Sequence, residues 1–294
     1  MALAKDTFRK EERVMWMVDH SSQIGKERLL LIVGVGLDDL PAPGQTLTFD
    51  KLKVLAMVPG QSWKKEDVER EYLKLAEQIG VPVYLLCDGA VELREPAEKL
   101  ENNGQKTIVL GDLKHRAANV LEKEIRRGGR FQAFLAEVGL TRNRAQQTEL
   151  DQFSPPTLRS KSRFMNLGPL FNWATMVLYY LNTPSSNARK EICSERMEQK
   201  FGWLYEYASD LDRWNQCQEV IDRSLSVINL HGLDAQTEAL VERSLNERNP
   251  NWRNEDCSAT QITVQLIDWI KQSSGKLKAA QRAWLSTSPG IPFR

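Results

Sequence analysis

The sequence predicts an α/β sheet followed by a long helical region. Three observations carry this. Apolar runs of β type, RVMWMVD, LLLIVGVGL, VPVYLLC and KTIVLGD, all lie ahead of Lys114. Between the second and third of these, WKKEDVEREYLKLAEQIG carries apolar residues at helical spacing. From Lys114 onward the helical pattern is almost unbroken.

Residues 13–19 and 28–37 read as two strands joined through SSQIGKE, a hairpin connection around Gly25. After PAPG at 41–44, TLTFDKLKVLAMV reads as an extended stretch that stops before Pro59-Gly60. These three form an antiparallel meander. Val68, Tyr72, Leu75, Ala76 and Ile79 define a helix that Gly80 closes. VPVYLLC is a buried strand, residues 90–102 a short helix, and KTIVLGD a fifth strand. Further helices are expected over 114–127, 130–150, 167–181, 191–207, 209–231, 234–246 and 259–274.

The order β-β-β-α-β-α-β, a meander followed by right-handed crossovers, is the ribonuclease H-like arrangement of a mixed five-stranded sheet. It sets the first strand beside the fourth. A doubly wound nucleotide-binding sheet would need helices between the early strands, and no glycine-rich phosphate loop is present.

That topology gives two acids a shared place. Asp19 closes the first strand and Asp88 the fourth, and polar or flexible residues follow each. Carboxylates at neighbouring strand ends converge and can share a divalent cation, because magnesium sites use one or two carboxylates with water and substrate phosphate. The bland alternative is that each is a turn residue. Asp112 and His115 put an acid and an imidazole at the next strand-to-helix turn, where Asp112 is also a plain helix N-cap. Glu92, four residues past Asp88, is the available candidate for a further acid, although a solvent-facing role explains it as well.

Composition narrows the class. At 294 residues, 41% hydrophobic and 27% charged, the chain reads as globular with length for a proper core. No apolar run approaches the roughly 18–20 residues that span a bilayer. Residues 1–20 lack a basic segment followed by an apolar one, so the expectation is a cytoplasmic protein with no membrane partner. The scattered Cys87, Cys193, Cys217 and Cys257 include no Cys-x-x-Cys pair, which argues against a zinc or disulfide framework, and Cys87 reads as core. The net charge of +1 hides a gradient: Gln105–Arg163 holds 12 Lys/Arg against 6 Asp/Glu, whereas Glu191–Asp256 holds 7 against 14. The basic block suits a polyanion, and equally the outer faces of helices. Within it Arg159, Lys161 and Arg163 alternate along a Pro- and Ser-marked break at 151–166. Phe171, Trp173, Tyr179 and Tyr180, and likewise Trp203, Tyr205, Tyr207 and Trp214, read as core. His231 before Gly232 reads as a helix C-cap.

The runs VDHSSQIGKERLLLIVGVGLDDLP, CDGAVELREPAEKL, LGDLKHRAANVLEKE, LTRNRAQQTELDQFSPPTLRSKSRFMN and ERMEQKFGWLYEY resemble bacterial insertion-sequence transposases of the DDE type. The resemblance extends from about Glu12 to Ser288. It implies a ribonuclease H-like core of residues 1–125, a helical insertion over 126–284 and a divergent tail at 285–294. It also implies a metal-dependent nucleotidyltransferase that cuts a phosphodiester at a transposon end and joins the freed 3′-hydroxyl to target DNA. Asp19 and Asp88 match the first two acids, which hold Mg2+ or Mn2+, and Asp112 and His115 match a supporting Asp-x-x-His element. Lys114, Arg116, Arg159, Lys161 and Arg163 would grip double-stranded DNA. The third acid of such enzymes is a glutamate on a closing helix, yet no glutamate occurs after Asp256, and RAWLSTS runs into PGIPFR. The expectation is therefore a core shortened at both ends, weak or inactive on its own. The alternative is a non-catalytic DNA-binding or inhibitory partner of an intact transposase, with a second copy as a further partner.

Overall fold

The computed structural model describes residues 8–10, 12–42, 45–102, 104–157, 164, 167–183, 194–232, 236–248 and 258–274. It is an α/β chain with a five-stranded mixed sheet, compatible with the ribonuclease H-like arrangement, and a helical part. Two compact units divide it: residues 1–116, 225–240 and 270–294, and residues 117–224 and 241–269. Among the described residues no helix is long and apolar enough to cross a membrane.

In the first unit, β1 (Val14–Ile24) and β2 (Glu27–Gly36) form a hairpin whose pairing reaches Ile24 and Glu27. It runs on past Asp19, which therefore pairs with Leu31 inside β1 rather than closing it, because Gly25 at φ +63° permits a tight turn. β3 (Lys53–Gly60) completes the meander and includes Pro59 and Gly60. The start of the expected extended stretch departs from expectation: Phe49–Lys51 forms a single 3-10 turn.

α1 (Lys65–Ile79) buries Val68, Tyr72, Leu75 and Ile79. Asp67 Oδ2 accepts the Lys64 amide at 3.3 Å to start it. Gly80 ends it at φ +87° and donates its amide to the Ala76 carbonyl. β4 (Tyr84–Cys87) is wholly buried. α2 (Val91–Glu98) stops earlier than expected. The remaining residues form a small hairpin of β5 (Glu101–Asn102) and β6 (Gln105–Lys106) ahead of β7 (Ile108–Gly111). Asn102, expected to end a helix, therefore pairs with Gln105 in this hairpin.

The sheet order is β3-β2-β1-β4-β7, with β1, β4 and β7 mutually parallel. α1 and α2 cover one face. The core there joins Val14, Trp16 and Val18 of β1, Leu30 and Ile32 of β2, and Leu85 and Cys87 of β4 to Tyr72, Leu75, Leu93 and Ala97 of the two helices. Tyr72 extends through this core to donate its hydroxyl to the Leu93 carbonyl at 3.2 Å. Cys87 is core as expected, and burial pushes its thiol up to about 11. The opposite face, with Met15, Met17, Leu31, Val33, Leu86 and Leu110, is buried too.

α3 (Leu113–Ile125) leads into the second unit. That unit contains α4 (Arg130–Ala145), α5 (Gly168–Asn182), α6 (Ser194–Phe201) and most of α7 (Ala208–His231), α8 (Thr237–Arg248) and α9 (Ser258–Ser274). The helix expected over 191–207 is α6 followed by a 3-10 stretch at Gly202–Tyr207. Its core is aromatic: Phe131 meets Trp214 edge to face at 5.1 Å, and Phe134, Phe171 and Tyr207 close around the same indole. Tyr179 and Tyr205 depart from the core expectation and are exposed. Glu124 is fully buried, accepts a hydrogen bond from Gln265 and lies 3.0 Å from Arg127 Nη1. α7 ends as expected, with Gly232 at φ +79° donating to the Ile228 carbonyl.

Candidate active site

Strand register assembles the site. β1 pairs with β4 at Met15–Tyr84, Trp16–Leu85 and Met17–Leu86. β4 pairs with β7 at Leu86–Leu110 and Cys87–Gly111. Two residues past Met17 and Leu86 stand Asp19 and Asp88, and one residue past Cys87 and Gly111 stand Asp88 and Asp112. The Asp112 amide donates to the Cys87 carbonyl at 2.9 Å, which carries the ladder one residue beyond the strands. The three aspartates therefore form one row across three adjacent parallel strands.

Side-chain alternation puts that row on a single face. Trp16, Val18, Leu85 and Cys87 point into the core beneath α1 and α2. Met17 and Leu86 lie on the other face, and alternation assigns Asp19 and Asp88 to it with them. Gly89, at φ +89°, turns the chain off β4, and Asp88 Oδ1 accepts the Ala90 amide at 2.8 Å.

Asp112 is the N-cap of α3. Its Oδ1 accepts the Lys114 amide at 2.7 Å and the His115 amide at 3.2 Å. Its Oδ2 lies 2.9 Å from His115 Nδ1. The hydrogen bond to Asp112 raises the His115 pKa, partial burial opposes it, and the charges of Asp112, Asp88 and Asp19 add to the rise. Burial of Asp112 would favour its neutral form, but the bonds from His115 and the two amides outweigh it and lower its pKa. Lys114 is shifted down by burial, with Asp112 opposing. Lys114 and Arg116 stand on the first turn of α3 without an ion pair among the described residues. Arg159, Lys161 and Arg163 lie outside the described residues.

His20 escaped the sequence reading. One residue past Asp19, its side chain is only 7% exposed. Its ring stacks on Trp63 with centroids 6.2 Å apart, and Nε2 lies 3.7 Å from Glu92 Oε1. Burial lowers its pKa against the opposing charge of Glu92. Neither ring nitrogen hydrogen-bonds to a described residue. Glu92, the candidate extra acid, thus meets His20 rather than joining the aspartate row. The strand alternation held the signal for this: His20 follows Val14, Trp16 and Val18 on the helix-covered side.

The donor set of Asp19 and Asp88 suits a hard divalent cation that keeps open positions for water and phosphate. Asp112 is committed to its cap and to His115. Among the described residues, no group of three His, Cys, Asp or Glu side chains already surrounds one metal position.

No protein-family model matches the sequence, and no curated protein matches it. Among solved structures, the chain is similar to the Drosophila P element transposase strand transfer complex at 11% identity and a TM-score of 0.29. The match covers 96% of this chain and 78% of that one.

Proposed function

We propose that this chain is a transposase-like protein that acts on phosphodiesters of double-stranded DNA. Asp19 and Asp88 are the ligands of a magnesium or manganese ion. The observation that carries the reading is their position two residues past the Met17–Leu86 pair, on one face of adjacent parallel strands. Asp19 lies within β1 and Asp88 directly follows buried β4, where its Oδ1 accepts the Ala90 amide, so the backbone positions of both carboxylates are set before a cation is shared. Such an ion, when bound, polarises the phosphoryl oxygens and eases deprotonation of the attacking water or hydroxyl. Lys114 and Arg116, on the first turn of α3, supply positive charge for the nucleic-acid backbone. Two carboxylates make a thin ligand set, so the reading expects weak cation binding and slow cleavage by this chain alone.

A magnesium- or manganese-dependent nicking assay on supercoiled plasmid, with Asp88→Asn as control, tests this. Nicking that the control lacks supports the reading, and equal nicking by both proteins removes Asp88 from it. The second reading is DNA binding without cleavage, as a partner of an active transposase, and the uncommitted cations Lys114 and Arg116 favour it. Duplex binding whose affinity falls steeply with salt, with no nicking in either metal, would select it.

A further inference from the structure

We propose that His115, held by Asp112, is the phosphate-contacting residue of this site and donates Nε2–H to a non-bridging oxygen of the DNA phosphodiester. This deepens the proposed function and rests on it. Both oxygens of Asp112 are already engaged: one caps α3 through two amides, and the other lies 2.9 Å from His115 Nδ1. Those same contacts occupy the first amides of α3, so the helix terminus itself is not an open anion seat. The consequence is a fixed imidazole with one uncommitted nitrogen, because Nε2 has no hydrogen bond to a described residue.

The charges around the ring make that nitrogen a donor. The charges of Asp112 on its own turn, of Asp88 just past β4 and of Asp19 within β1 all favour the imidazolium, while Lys114 adjoins it in sequence. With Nδ1–H committed to Asp112, the imidazolium presents only Nε2–H outward. An acidic row alone repels a phosphodiester. A cation held by Asp19 and Asp88 would offset that repulsion, and the His115 imidazolium would supply a charged donor to the phosphodiester. Half-buried Lys114 adds to the pull.

The three histidines, His20, His115 and His231, make the test direct. The full chain, 15N-labelled at histidine, is titrated with a short DNA duplex in Ca2+ and separately with inorganic phosphate. The expected result is movement of the His115 Nε2 resonance with duplex while that of His231 stays fixed. His115→Gln should weaken duplex binding about tenfold and reduce the log–log salt slope by about 0.9. Asp112→Asn keeps an oxygen for the helix cap, and should weaken binding in the same direction while lowering the His115 pKa. Bound duplex with an unmoved His115 resonance would overturn the inference and leave the DNA reading standing. Movement with phosphate but no duplex binding would keep the anion contact and sink the DNA reading. No duplex binding together with no movement in phosphate removes both.

Discussion

Asp19 and Asp88 stand at the same level of the sheet, each two residues beyond the Met17–Leu86 pair of the parallel neighbours β1 and β4. In-register residues on neighbouring strands are about 4.8 Å apart. Backbones at that spacing place both carboxylates within reach of one cation.

Cation binding should therefore appear as stability. Mn2+ is expected to raise the thermal midpoint of the protein by linkage, and both Asp19→Asn and Asp88→Asn should abolish that rise. Asn at 88 keeps an acceptor for the Ala90 amide, so Asp88→Asn should equal or exceed the wild-type midpoint in EDTA. Thermal unfolding with and without Mn2+ checks this. A manganese shift that survives both substitutions would remove these residues as ligands.

The Asp112–His115 pair predicts a particular pH profile. His115 titrates above its ordinary 6.5 in the folded protein, so its contribution is full below that value and disappears as pH rises through the folded pKa. Asp112 titrates below its ordinary 3.8, so its contribution is present above that value and disappears as pH falls through the folded one. Their joint contribution is largest between the two ordinary values. Urea denaturation across this range should show wild-type stability falling on both sides, and Asp112→Asn should flatten both limbs. Parallel curves for the two proteins would contradict the pairing.

Leu85→Ala should cost about 2–5 kcal/mol. Leu85 is fully buried and stands between Trp16 and Val109 in adjacent strands, so the cavity would open beneath the strand that carries Asp88. Denaturant midpoints at constant slope measure the loss. A change below about 1 kcal/mol would mean that the core repacks around the gap.

Two glycines separate backbone strain from collision. Gly80 and Gly104 both have positive φ, at +87° and +78°. A Cβ at Gly80 would come within 2.8 Å of the Lys10 carbonyl oxygen, whereas one at Gly104 meets nothing within 4 Å. Gly104→Ala should cost about 1–2 kcal/mol for the left-handed backbone alone, and Gly80→Ala clearly more. Equal losses in chemical denaturation would show that the segment around Lys10 gives way.

Much of the first unit was legible because its signals are local. Alternation and β-branched runs marked the strands, and the spacing of Val68, Tyr72, Leu75 and Ile79 marked α1, with Gly80 as its stop. Asp112 as a cap was readable from its place between a strand and a helical pattern. The β5–β6 hairpin was not. Its two-residue strands are too short to show a period, so Asn102-Asn103-Gly104 looked like the end of a helix. The exposure of Tyr179 and Tyr205 was hidden for the opposite reason, since an aromatic residue reads as core wherever it falls on a helix.

His20 shows where local reading runs out. Its burial depends on Trp63, which is far along the chain and anchored by its own indole bond to the Arg28 carbonyl at 3.0 Å. No window of sequence contains both rings.

The sequence by itself determined which residues alternate, which repeat at helical spacing, and therefore that Asp88 and Asp112 each follow a strand; it did not show that β1 runs on past Asp19 to Ile24. Only the tertiary structure decided that Asp19, within β1, shares one row with Asp88 and Asp112, and that Asp112 holds His115. Strand ends are set by local propensity and turn chemistry, but register is set by the side chains that pack between strands and helices. Those contacts join residues that the chain itself keeps far apart.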